Sequence, residues 1–142
     1  MILYLICGIG GNIFSLTVDT GSYFDTYKAG ASTALYGSIG IILGYLIINW
    51  TGLQAIGEQL RYQIVCVFLF LLIFVLIFTP NSGNVDFYGH LGGFLTGIWV
   101  TGFTQSLIFE IREKIISRVF IGLFLIQFIV TFVIFFVNNT SK

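Results

Sequence analysis

The sequence predicts an all-α fold, a polytopic transmembrane helix bundle of about five spans, and three observations carry that prediction. Of the 142 residues, 57% are hydrophobic and only 8% are charged, and mean hydropathy is +1.01, values that belong to a chain dissolved in lipid. Apolar runs of about 20 residues, the length that crosses the hydrocarbon at 1.5 Å per residue, recur along the chain. The polar residues gather in the stretches between those runs. Backbone groups inside a bilayer must be paired within their own segment, so each run is read as a helix.

Residues 2–18 form the first run. No basic lead-in precedes it and no small-residue cleavage site follows it, so it reads as a span and not as a signal peptide. The second run, 32–49, opens at Ser32. The third, 63–79, stops at Pro80, whose context Pro80-Asn81-Ser82-Gly83-Asn84 is a turn signature. The fourth and fifth runs cover 87–104 and 119–137. Ahead of the fifth, Glu110, Arg112, Glu113, Lys114 and Arg118 are interleaved with Ile111, Ile115 and Ile116. That segment reads either as an amphipathic turn or two lying along the membrane interface or as a solvated loop.

No repeat or low-complexity linker divides the chain, which reads as a single membrane domain over 1–142 with a core at 2–104 and an additional C-terminal helix at 119–137. Arg61, Arg112, Lys114 and Arg118 fall on one side of the bilayer, against Lys28 and Lys142 on the other. The Arg-rich loops are therefore expected to face cytoplasm or matrix. The N-terminus then lies inside, and the second and fourth spans begin near the outer face at a common depth. The expected location is an integral, multi-pass position in a membrane. A mitochondrial inner membrane, a secretory membrane and a plasma membrane all fit the charge pattern.

Six Lys and Arg balance six Asp and Glu, so no net field draws nucleic acid, and the lipid bilayer is the expected surrounding. Cys7 and Cys66 fall in apolar runs without Cys-x-x-Cys spacing or neighbouring His ligands. Both read as packing residues, and neither a metal nor a cofactor is expected.

Chemistry concentrates at two helix starts. Ser32 stands in Gly30-Ala31-Ser32-Thr33, and the only histidine, His90, stands in Gly89-His90-Leu91-Gly92-Gly93. Ser32, Tyr36, Gly40 and Gly44 repeat at i+4 and form one stripe, while Gly89, Gly93 and Gly97 form a small-xxx-small face. Packing these two faces together brings Ser32 and His90 into reach about one turn below the outer surface, with the Tyr36 ring available beneath the imidazole. A serine hydroxyl is a weak nucleophile until a base takes its proton, and histidine is the usual base near neutral pH. Backbone N–H groups of Ser32 or Thr33 at a helix N-terminus can receive the oxyanion, and Gly30 lets the chain turn before Ser32. Ser32 at a loop-to-helix junction also fits an ordinary N-cap. Tyr36 is expected to orient the ring in place of an acidic third member.

These motifs resemble the rhomboid intramembrane serine proteases. Gly30-Ala31-Ser32-Thr33, continuing through Gly37, is similar to the family's nucleophile motif, with Thr33 where a second glycine is usual. Gly89-His90-Leu91-Gly92-Gly93 is similar to its histidine helix, and Tyr36 falls where the family often stacks a tyrosine on the histidine. Gly8-Ile9-Gly10-Gly11-Asn12 resembles the glycine-rich helix that precedes the nucleophile helix. The resemblance implies a Ser32–His90 dyad that cleaves a transmembrane protein substrate without metal or cofactor. Tyr36, Gly30, Thr33 and Gly93 would support the dyad. The resemblance begins at the third of the family's six core spans. It therefore also implies either a shortened protease or one half of a split enzyme whose second chain supplies the first two helices and their oxyanion-assisting side chains, or else a retired dyad in a subunit of a larger membrane complex.

Overall fold

The computed structural model describes residues 1–18, 31–78, 86–105 and 111–140. Five α-helices make up the bundle: α1 (Ile2–Val18), α2 (Ser32–Ile48), α3 (Glu58–Phe78), α4 (Phe87–Gln105) and α5 (Ile111–Thr140). A short 3-10 turn, Gly52–Ile56, joins α2 to α3. No strand occurs among the described residues.

The first, second and fourth helices coincide within a residue with the apolar runs, but α3 and α5 start earlier than hydropathy alone suggests. In α3 the first turn begins at Glu58, an acidic residue favoured at a helix N-terminus, after Gly57 with φ of 99°, a left-handed turn that suits glycine. In α5 the charged stretch from Ile111 onward is neither a loop nor a separate interfacial piece, and Glu110 lies outside the described residues. The stretch is the first part of one 30-residue helix, in which Ser117 is buried and Ile116 packs on the core.

The centre of the bundle is α1, α2 and α4, and glycine decides how closely they approach. A methyl group on Gly97 would fall on the Gly37 carbonyl, one on Gly93 on the Thr33 carbonyl, and one on Gly40 on the Phe94 carbonyl. Gly10 and Gly11 of α1 meet Thr96 and the backbone of Gly93 in the same way. Without a hydrophobic drive between helices in lipid, such backbone proximity supplies the dispersion energy that holds spans together. Cys7, fully buried under Gly37, packs as expected, whereas Cys66 is exposed on α3 and takes no part in the core.

Below the glycine contacts, Ile48, Phe94, Ile98 and Phe120 form a buried apolar cluster. The α5 helix joins it through polar pins as well. Ser117 donates to the Gly102 carbonyl at 2.5 Å, and Gln127 Nε2 donates to Thr96 Oγ1 at 3.0 Å. Its outer face, with Ile126, Ile129, Phe132 and Phe136, is exposed. Lys114–Val137 is the one helix among the described residues that is long and apolar enough to cross a membrane by that measure, and α1 and α2 are shorter apolar helices of 17 residues.

Helix α3 leans on its neighbours at its start. Arg61, only 5% exposed, donates to the Trp50 carbonyl at 2.8 Å and lies 4.1 Å from the Trp50 ring centroid. This contact ties the exit of α2 to the entry of α3 and removes Arg61 from the pool of solvated loop charges.

Candidate active site

Ser32 is the first residue of α2, and its position follows from where that helix can begin. The preceding Ala31 occupies the cap position in a helical conformation (φ −64°, ψ −11°) and makes no side-chain cap bond. The hydroxyl of Ser32 is therefore not spent on capping. It lies 2.8 Å from Nε2 of His90, on a different helix 58 residues away. Thr33 of α2 rests against Gly11 of α1, so Ser32 lies well short of the Val18 end of that helix. Seventeen residues of α2 rise about 26 Å, less than the roughly 30 Å hydrocarbon thickness.

His90 is buried at 9% exposure, while Ser32 is exposed. The base is thus held in the protein and the hydroxyl is open to an incoming group. Tyr36, one turn along α2 from Ser32, stacks on the imidazole with ring centroids 4.2 Å apart and planes 29° from parallel. The ring of His90 is consequently fixed on one face by Tyr36 and at Nε2 by Ser32. Its Nδ1 is buried with no hydrogen-bond partner among the described residues.

Thr33 is buried at 4% exposure and packs between Gly11 on α1 and Gly89 and Gly93 on α4. Thr33 and Gly93 set the distance between the two helices that carry Ser32 and His90. Gly30 lies outside the described residues, as do the connection 19–30 and the Pro80 turn. Helical hydrogen bonding at the site starts with Leu35 N–H to Ala31 O at 3.1 Å. The N–H groups of Ser32, Thr33 and Ala34 come before that ladder and so are the donors a developing oxyanion beside Ser32 can meet. Tyr4 of α1 donates to the Ala31 carbonyl at 3.2 Å and steadies the chain just before Ser32.

One contributor was not legible as part of the site. Asp86, assigned by hydropathy to a connecting loop, is the N-cap of α4: its Oδ1 accepts Gly89 N–H at 2.9 Å and the Ser15 hydroxyl of α1 at 2.6 Å. The available signal was an Asp four residues before the only His at the mouth of an apolar run, a cap spacing that also stacks the two residues on one helix face. Among the described residues no group of three His, Cys, Asp or Glu gathers to hold a metal ion.

Comparison with known proteins follows the same residues. The family model for the Rhomboid domain matches residues 1–106. RHOMBOID-like protein 5 of Arabidopsis thaliana is 36% identical over 108 residues, covering 74% of this chain and 31% of that protein. Rhomboid-like protease 1 of Toxoplasma gondii is 37% identical over 95 residues, covering 67% of this chain and 30% of that protein. RHOMBOID-like protein 1 of Arabidopsis thaliana is 32% identical over 116 residues, 80% of this chain and 25% of that protein. The chain thus spans about a third or less of the length of these relatives. No solved structure matches it.

Proposed function

Because the chain belongs to the rhomboid family, whose members are membrane proteins and include serine proteases, we propose that it is a multi-pass intramembrane serine endopeptidase acting through Ser32 and His90. The observation that carries this reading is the 2.8 Å contact between Ser32 Oγ and His90 Nε2, made between two helices and stacked on Tyr36. In the proposed reaction Ser32 Oγ attacks the scissile carbonyl carbon of a transmembrane protein substrate, and its proton passes to His90 Nε2. The oxyanion is received by the N–H of Ser32 at the start of α2. His90 then protonates the leaving amine, and water admitted to the site releases the acyl group from Ser32 by the same proton route. No metal or cofactor enters the scheme.

Because the chain overlaps only part of its relatives, further oxyanion donors are proposed to come from additional helices, on a second chain or another segment, packed beside α2 and α4. A second reading, separated from the first by one experiment, is that the dyad is retired and the chain is a structural subunit of a larger membrane complex.

Labelling by a fluorophosphonate serine-hydrolase probe in native membranes separates the two. The protease reading expects a labelled chain, with labelling reduced at least about 10³-fold in both Ser32→Ala and His90→Ala. Labelling that persists in Ser32→Ala, or is absent while another intramembrane serine protease in the same membranes is labelled, defeats it and leaves the subunit reading.

A further inference from the structure

We infer that Asp86 is a positioning residue for the dyad, a carboxylate that stabilises the imidazolium formed when His90 takes the proton of Ser32. This rests on the protease reading for its catalytic meaning, but the coupling between Asp86 and His90 stands on its own geometry.

The helices that enclose the imidazole are free of charge. The sequences of α1, α2 and α4 contain no Asp, Glu, Lys or Arg. Asp86 stands immediately before α4 and one helical turn ahead of His90, and its backbone carbonyl accepts the N–H of His90 at 3.0 Å. The carboxylate is held in place twice, by Gly89 N–H of its own helix and by the Ser15 hydroxyl of α1, both on Oδ1. It is half-buried and sits four residues before His90, one helical turn along the same face. From the neighbouring elements, His90 otherwise faces the neutral side chains of Ser32 and Tyr36. Asp19, Asp25 and Lys28 lie in the connection outside the described residues.

The chemistry needs such a charge. In the reactive state His90 carries its proton on Nδ1 and accepts a second at Nε2 from Ser32, so a full positive charge appears on a buried ring. Nothing on Tyr36 compensates more than partially, because stacking contributes only a weak cation–π attraction. A fixed carboxylate one turn away, in surroundings of low polarity, opposes the rise in energy without moving. Asp86 takes no proton in this scheme, and the transferred proton moves only between Ser32, His90 and the leaving amine.

A cap alone would explain the same two hydrogen bonds, so the test must remove charge and keep the cap. Asp86→Asn does this, because Asn caps helices about as well as Asp. Ser15→Ala does the reverse, releasing the clamp to α1 while leaving the carboxylate. His90 is the only histidine, so ¹⁵N-histidine NMR of the full chain in lipid nanodiscs reads its ring directly, whether or not the chain is active. The expected result is a titration midpoint displaced to lower pH by about one unit in Asp86→Asn and nearly unchanged in Ser15→Ala. With the fluorophosphonate probe, Asp86→Asn is expected to lower the maximal labelling rate about 10-fold while the half-saturating probe concentration stays the same.

An unmoved midpoint in Asp86→Asn overturns the inference, as does an equal displacement in Ser15→Ala. A displaced midpoint in a chain that the probe never labels would uphold the coupling and sink the protease reading. Labelling dependent on Ser32 with an unmoved midpoint would do the opposite.

Discussion

Helices α1, α2 and α4 meet through backbone at several levels, whereas α3 is held at its start by side-chain contacts and α5 comes backbone to backbone with α4 at one glycine, Gly102, where a methyl group would crowd the Ser117 carbonyl. At Gly40, Gly93 and Gly97 a carbonyl oxygen of the facing helix lies where a methyl group would sit, and at Gly37 the Cys7 side chain does. Arg61 on Trp50, Ser117 on Gly102 and Gln127 on Thr96 are individual polar pins at longer range from the dyad. The difference teaches where geometry is enforced: the two halves of the dyad come from helices locked by glycines at successive levels, whereas α5 has one such glycine contact, supplemented by the Trp99–Phe120 and Phe103–Phe124 ring pairs. A peripheral defect should loosen a helix, and a central one should separate Ser32 from His90.

The largest effect is therefore expected from enlarging a central glycine. Gly97→Ala puts a methyl group onto the Gly37 carbonyl, and overpacking of this kind costs about 1–3 kcal/mol. Gly97→Leu should exceed that and abolish probe labelling of Ser32. The comparison is sharpened by Gly122→Ala on α5, where a methyl group has nothing within 4 Å. That change should stay within about 0.5 kcal/mol of wild type. Unfolding in mixed micelles measures both, and equal losses for Gly97→Ala and Gly122→Ala would break the distinction between centre and periphery.

Most of this centre was legible in the sequence because a helix repeats every 3.6 residues and glycines at four-residue spacing must share a face. The contact between Ser32 and His90 follows from joining two such faces. Three things were not legible. Hydropathy marks where side chains turn apolar and not where hydrogen bonding begins, so α3 and α5 were placed short by their charged first turns. Thr33 looked like a tolerated replacement for glycine, but its burial against three glycines depends on the meeting of three helices. Asp86 was assigned to a loop because charge ends an apolar run, although the same charge is what a helix start attracts.

An intermediate effect is expected at Tyr36, which belongs to the centre but acts by a side-chain contact. Stacked aromatic pairs contribute about 0.5–1.5 kcal/mol, so Tyr36→Ala should slow labelling roughly 2- to 10-fold. Tyr36→Phe retains the ring over His90 and should label at nearly the wild-type rate. A large loss in Tyr36→Phe would show that the hydroxyl matters more than the stack, and would move Tyr36 out of the orienting role its 4.2 Å ring spacing supports.

The smallest effect is expected at the pin between α4 and α5. Gln127 Nε2 donates to Thr96 Oγ1, and Thr96 itself donates to the Gly92 carbonyl at 2.7 Å. Replacing Gln127 by Leu removes one interhelical bond and leaves the Thr96 bond to its own helix intact. It also removes Gln127 Oε1, a buried oxygen without a hydrogen-bond partner among the described residues, which offsets part of the loss. Hydrogen bonds between membrane helices average about 0.6 kcal/mol, so Gln127→Leu should change stability by less than about 1 kcal/mol. Labelling of Ser32 should persist, because Thr96 still meets Gly10 of α1 and Gly93 still meets the Thr33 carbonyl beside Ser32. If Gln127→Leu instead silences the dyad while the bundle stays folded, then α5 is not peripheral to the site, and the position of α4 depends on a side-chain pin as much as on the glycines.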